Sequence, residues 1–128
     1  NYKMMKLKNL LMTMLFAIGL SASAQEVQDP MIGLWKDGSS DRTFEVVQNS
    51  AGSYDAIIHK AENKDVIGKK QITNLKAVGN KKYDGGTIHL FSRNKTGKCS
   101  AELKDLKTLE IVGKVGFFSK SAIWKKLP

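Results

Sequence analysis

The chain has 128 residues, 21 lysines and arginines against 12 acids, and a net charge of +9. One cysteine excludes an internal disulfide framework, and the length fits one domain of ordinary size. A basic surplus of this kind points to an anionic partner such as a lipid head group, an acidic polysaccharide or an acidic protein.

At the start, Lys3, Lys6 and Lys8 precede an apolar run from Leu10 to Leu20, and small residues follow, ending in Ala22-Ser23-Ala24. That order describes a secretory signal peptide over residues 1–24, with cleavage expected between Ala24 and Gln25. The run falls short of the roughly 20 apolar residues that a membrane span needs. Residues 25–128 then form a single exported domain, periplasmic or secreted, that is not membrane-spanning. It carries 18 basic and 12 acidic residues once the three leader lysines are removed. Its address separates it from nucleic acid.

Along this domain, residues 25–31 read as an exposed lead-in ending at Asp29-Pro30. Ile32 to Lys36 is a first strand. Arg42 to Gln48 alternates, with Phe44, Val46 and Gln48 on one face; the turn residues 49–53 lead into a returning strand, Tyr54 to Lys60. Ala61 to Gly68 is polar, a loop or short helical turn, and Ile72 to Val78 is a strand or an extended loop. Asp84-Gly85-Gly86 punctuates the chain before Thr87 to Phe91. Arg93 to Gly97 reads as a turn, Lys98 to Lys104 as a strand, and Thr108 to Lys114 as another. After a corner at Phe117 to Lys120, Ser121 to Leu127 closes the chain.

Seven or eight short strands joined by tight turns, with no sustained helical period, predict an all-β fold. The expected form is a small antiparallel up-and-down barrel, because closure removes exposed strand edges. No second domain, repeat or linker is visible.

The residues that carry chemistry are sparse. His59, His89 and Cys99 have no metal-ligand spacing, so no metal site is expected, and no cofactor is implied. Cys99 alternates with Ala101 and Leu103 on the apolar face of its strand, which predicts a small buried side chain. His89 and Cys99 stand on strands that a hairpin brings side by side, but no nucleophile motif accompanies them, so no catalytic residue is assigned. Gly85-Gly86 lacks the other glycines and the helix of a phosphate loop.

Two features resemble a known family. Ile32-Gly33-Leu34-Trp35-Lys36 looks like the G-x-W strand that opens lipocalin-type barrels. The order Tyr83-Asp84-Gly85-Gly86-Thr87-Ile88, Thr96-Gly97-Lys98-Cys99, Leu109 to Gly116, and Ser121-Ala122-Ile123-Trp124-Lys125 is similar to exported bacterial proteins known as domain of unknown function 2147. The family tends to carry Asp-Pro before the T/N-G-K turn, where Ser92-Arg93-Asn94 stands here, and an arginine in the closing strand, where Lys125 and Lys126 stand. The resemblance implies a lipocalin-like barrel of bacterial, periplasmic origin. It implies no activity.

The leading expectation is therefore a barrel that binds a small apolar or lipid-like ligand in the cell envelope. Its inward positions would be Trp35, Phe44, Val46, Ile58, Leu90, Leu103, Ile111 and Trp124. Lys81, Lys82, Arg93, Lys95, Lys98, Lys125 and Lys126 are the candidates for a basic rim that meets an anionic head group; as a plain surface they would serve solubility. The alternative is a solid-cored module whose basic face docks an acidic envelope partner, a glycan or an anionic membrane.

Overall fold

The computed structural model describes residues 28–128, so the expected signal peptide lies outside the described residues. Eight strands follow in chain order: β1 (Gly33–Asp37), β2 (Thr43–Gln48), β3 (Tyr54–Lys60), β4 (Lys70–Gly79), β5 (Lys82–Leu90), β6 (Lys95–Asp105), β7 (Thr108–Val115) and β8 (Phe118–Lys126). A single 3₁₀ turn, Lys64–Val66, lies between β3 and β4. Every strand pairs antiparallel with its neighbour, and β8 returns to β1 to close the barrel. The expected all-β up-and-down barrel is the one observed.

Alternation along the strands dictates what fills it. Trp35, Phe44, Val46, Ala56, Ile58, Ile72, Ala101, Leu103, Leu109, Ile111 and Trp124 are all buried, and they point to one continuous interior. Burying a large apolar side chain contributes about 1.5–3 kcal/mol, so this interior is the main stabilising element.

The two ends of the barrel differ. At one end, which we call the base, the segment before β1 folds across the opening. Met31 is buried there, and its carbonyl accepts a hydrogen bond of 3.0 Å from Trp35 Nε1. Asp29 holds the segment in place, accepting from Met31 N at 3.0 Å and from the Tyr54 hydroxyl. Lys126 Nζ donates to the carbonyls of Pro30 at 2.6 Å and Ile32 at 2.5 Å and sits 4.9 Å from the Trp35 ring centroid. The part of the lead-in that follows Asp29 is therefore a plug. The short range of alternation there gives a sequence reader nothing to see.

Two differences from the sequence reading concern glycine and turn chemistry. Gly85-Gly86 lies inside β5, at a break in the β5–β6 register, rather than at a boundary. A side chain on Gly86 would meet Leu75 at 3.0 Å and the carbonyls of Cys99 and Thr73 at 3.3 Å, so the glycine lets three strands converge. The reversal between β4 and β5 falls instead on Asn80 and Lys81, both left-handed with φ of 55° and 61°. That is the backbone of a two-residue hairpin turn that usually advertises itself with glycine.

Candidate functional site

The loops β1–β2, β3–β4, β5–β6 and β7–β8 all emerge at the end opposite the plug, which we call the mouth. Part of that end is covered by the β3–β4 segment, whose Val66 is buried in the core and whose Glu62 amide donates to Asp41. A cavity of about 970 Å³ opens there and runs down into the barrel, within the size range of small-molecule sites. Phe44, Ile111 and Trp124 form its deep wall, and Ile88, Leu90 and Ala122 continue that wall upward. Phe44 and Trp124 stack with ring centroids 4.2 Å apart.

The upper part is polar. Arg42, Arg93, Lys95 and Lys120 line it, against the two carboxylates of Asp37 and Asp41. Asp37 is engaged already, accepting from Ser39 N and Oγ at 2.9 and 2.8 Å and from Ser40 Oγ at 2.9 Å. Asp41 accepts from the Glu62 amide. Arg42 is oriented by its neighbour: Arg42 Nη1 donates to Gln71 Oε1, while Gln71 Nε2 donates to the His89 carbonyl. Gln71 is buried at 8% exposure, so this arginine stands on a fixed support. A guanidinium held in this way is suited to a carboxylate or phosphate.

The structure sorts the ligand-lining candidates into two groups. Phe44, Leu90, Ile111 and Trp124 line the cavity; Trp35, Val46, Ile58 and Leu103 are buried outside its lining, in the packed interior. The basic candidates do not form one rim. Arg93 and Lys95 stand at the mouth, while Lys98 lies on β6 opposite Lys114 and points outward. Lys81 and Lys82 are at the β4–β5 turn, at the base. Lys125, which donates to Thr108 Oγ1 at 3.0 Å, and Lys126, inside the plug, are also at the base. Both line a shallow depression of about 590 Å³ beside the β6–β7 turn. Pairs of lysines adjacent in sequence mark the strand ends, and strand ends alternate between base and mouth.

Cys99 is buried at 2% exposure, and burial, with a lesser contribution from the Asp84 charge, pushes its thiol up to about 12. It faces inward, paired with Gly86 and Gly113. His89 pairs with Thr96 on the outer face, where its Nε2 lies 3.2 Å from Thr73 Oγ1. The two side chains occupy opposite faces of the wall and cannot act as a nucleophile and base. Among the described residues no group of three or more histidines, cysteines or acids converges as a metal site would require.

Against this geometry, the family described as an uncharacterized protein conserved in bacteria (DUF2147) matches residues 22–126. The chain belongs to this family. Among solved structures, protein HP1028 from Helicobacter pylori, described as belonging to the lipocalin family, is similar with a TM-score of 0.60. It shares 18% identity, over 80% of this chain and 85% of that one, a likeness that establishes a lipocalin-like fold. No curated protein matches the chain. Among the described residues, no helix of this DUF2147 protein is long and apolar enough to cross a membrane.

Several lining residues of this family member escaped the sequence reading: Arg42, Gln71, Ile88, Lys120, Phe118 and Ala122. The signal for three of them was present. Extending the closing strand three residues upstream puts Phe118, Lys120 and Ala122 on the face of Trp124, as the register with Val115, Gly113, Ile111 and Leu109 confirms. Arg42 and Gln71 had none, because the register shifts beside Thr43 and within β4 uncouple their direction from alternation.

Proposed function

We propose that the barrel binds one amphiphile, with an apolar body in the cavity and an acidic head group at the mouth. The cavity itself carries the reading. Its floor is aromatic and aliphatic, four cations line its upper part, and both nearby carboxylates already have donors. Apolar walls with a few fixed polar groups are what a small-molecule site requires: area for affinity and charge for orientation. A solid-cored module has no use for such a space. The leader pattern over residues 1–24 supports an exported address, which makes the cell envelope the source of the ligand.

The test is a titration with dodecanoate followed by tryptophan emission and by melting temperature. Trp124 lines the cavity and Trp35 does not, so emission should change saturably in the native protein and little in Trp124→Phe. The melting temperature should rise with ligand concentration by mass action. Ala122→Phe, which fills the cavity, should abolish both responses. If neither signal responds to dodecanoate, dodecanol or dodecyl phosphate, the reading is wrong. Native mass spectrometry of protein taken from its own cell would then identify the retained molecule.

A further inference from the structure

Phe117 stands in the β7–β8 turn at the mouth, and Phe118 beside it opens β8. Phe117 is fully exposed and Phe118 is 81% exposed. Single exposed apolar residues are ordinary on protein surfaces, but two adjacent rings projecting from a rim mark a contact surface.

The mouth holds Asp37 and Asp41 on the β1–β2 side, but the side that carries the rings is basic alone. Residues 85–101 and 111–128 contain no aspartate or glutamate. The mouth-side halves of β6, β7 and β8 and the loop before them therefore present Arg93, Lys95, Lys98, Lys114 and Lys120 with no acid of their own. Lys98 and Lys114 stand directly opposite each other on adjacent strands, and Lys120 is paired with Gly113 on the next. Among the described residues, the ion pairs are Lys70–Asp55, Lys104–Glu102 and Lys104–Glu110, and none involves these five cations. Like charges directly opposite in a sheet are destabilising, so the arrangement costs the isolated protein something that an anionic surface would offset.

We propose that the mouth end docks on an anionic lipid surface, with Phe117 and Phe118 inserted among the head groups and the five cations set against the head-group charge. Aromatic rings flanked by lysine and arginine are the side chains that bind at a membrane interface, and anionic leaflets attract cations held close to them. The turn Gly116–Phe117 carries one ring past the sheet and Phe118 opens β8 opposite Val115 beside it, an arrangement that suits a yielding surface; a protein partner would need a matching pocket. Phe118 also lines the cavity, so the docked surface and the cavity are continuous. This docking goes beyond ligand binding and needs no ligand in the cavity.

The experiment is cosedimentation of the full chain with vesicles of phosphatidylcholine, pure or mixed with phosphatidylglycerol, without added amphiphile. The mixed vesicles should carry the protein down, less so as salt is raised, and the pure ones should not. Replacing both rings, Phe117→Ser with Phe118→Ser, should weaken binding by about tenfold or more, since the apolar area they bury is lost. Lys114→Glu with Lys120→Glu should weaken it at least about tenfold through charge alone, which keeps the test open if the first variant folds poorly. Both variants keep residues 1–24 unchanged, so only the hairpin differs. Equal binding by wild type and variants, equal binding to both vesicles, or ring-dependent self-association without vesicle binding would each overturn the proposal. Because no amphiphile is added, these outcomes are separate from those of the dodecanoate titration.

Discussion

Phe44 and Trp124 lie face to face, with ring centroids 4.2 Å apart and planes within 5° of parallel. Phe44 comes from β2 and Trp124 from β8, and β1 runs between those strands, so the stack spans the line on which the barrel closes. It is at once core and cavity floor. Phe44→Ala removes that floor and should cost about 3–5 kcal/mol of stability, measured by urea unfolding. Trp124→Phe keeps a ring in place and should cost far less.

Arg42 should set the preference for an acidic head group. With Arg42→Ala, dodecanoate binding should weaken by roughly tenfold or more, because a hydrogen bond to a charged group contributes about 1.5–3 kcal/mol. Binding of dodecanol should be unchanged. Gln71→Leu should give a smaller loss in the same direction, since Gln71 orients the guanidinium but does not carry the charge. Calorimetric titration of both amphiphiles checks each variant.

Cys99 should be inert in the folded protein. Burial holds its thiol up at about 12, so alkylation by iodoacetamide at mildly alkaline pH should proceed only at the rate of unfolding and become fast in urea. The linkage has a sign. The folded thiol keeps its proton where the unfolded one loses it, so this group's contribution is fully present below about pH 8.5 and declines as pH rises towards about 12. Cys99→Ala should flatten that alkaline decline.

Asp55 should govern acid stability. Burial alone raises its carboxyl, but hydrogen bonds from Asn74 N at 2.9 Å, Lys70 Nζ at 3.1 Å and Asn49 Nδ2 at 3.2 Å, with the Lys70 charge, outweigh burial and hold it below the usual range. A depressed carboxyl stabilises the fold above its unfolded pKa, near 3.9, and loses that contribution as pH falls through the folded value. Asp55→Asn should therefore cost roughly 1–3 kcal/mol at neutral pH, and the two proteins should converge as pH falls through the folded value. Unfolding free energies across that range test it.

The barrel was legible where alternation was regular. Phe44 and Val46, and Cys99, Ala101 and Leu103, show their buried face in the bare sequence, and Gly33-x-Trp35 marks the first strand. β4 was obscure because the register shifts around Thr73 and Asn74, where Asn74 takes a left-handed φ of 59° and its amide is held by Asp55. The site was harder still. Which end of a strand meets the open mouth depends on where the plug sits, and the plug depends on Lys126 reaching Pro30 across 96 residues of chain. Local pattern carries no trace of such a contact. The expected basic rim accordingly mixed the mouth cations Arg93 and Lys95 with the base lysines 81, 82, 125 and 126.

Closure between β1 and β8 runs over three paired positions, Trp35 with Lys126, Lys36 with Lys125 and Asp37 with Trp124, flanked by backbone hydrogen bonds from Gly38 N to the Ile123 carbonyl and from Leu127 N to the Leu34 carbonyl; every other pair of hydrogen-bonded strands is consecutive in the chain. A chain that emerges N-terminus first can assemble its hairpins in order, yet it stays an open ribbon with two bare edges until its last strand is free. Closure thus waits on β8. Whatever keeps those edges from pairing with other chains must act until residue 126 arrives.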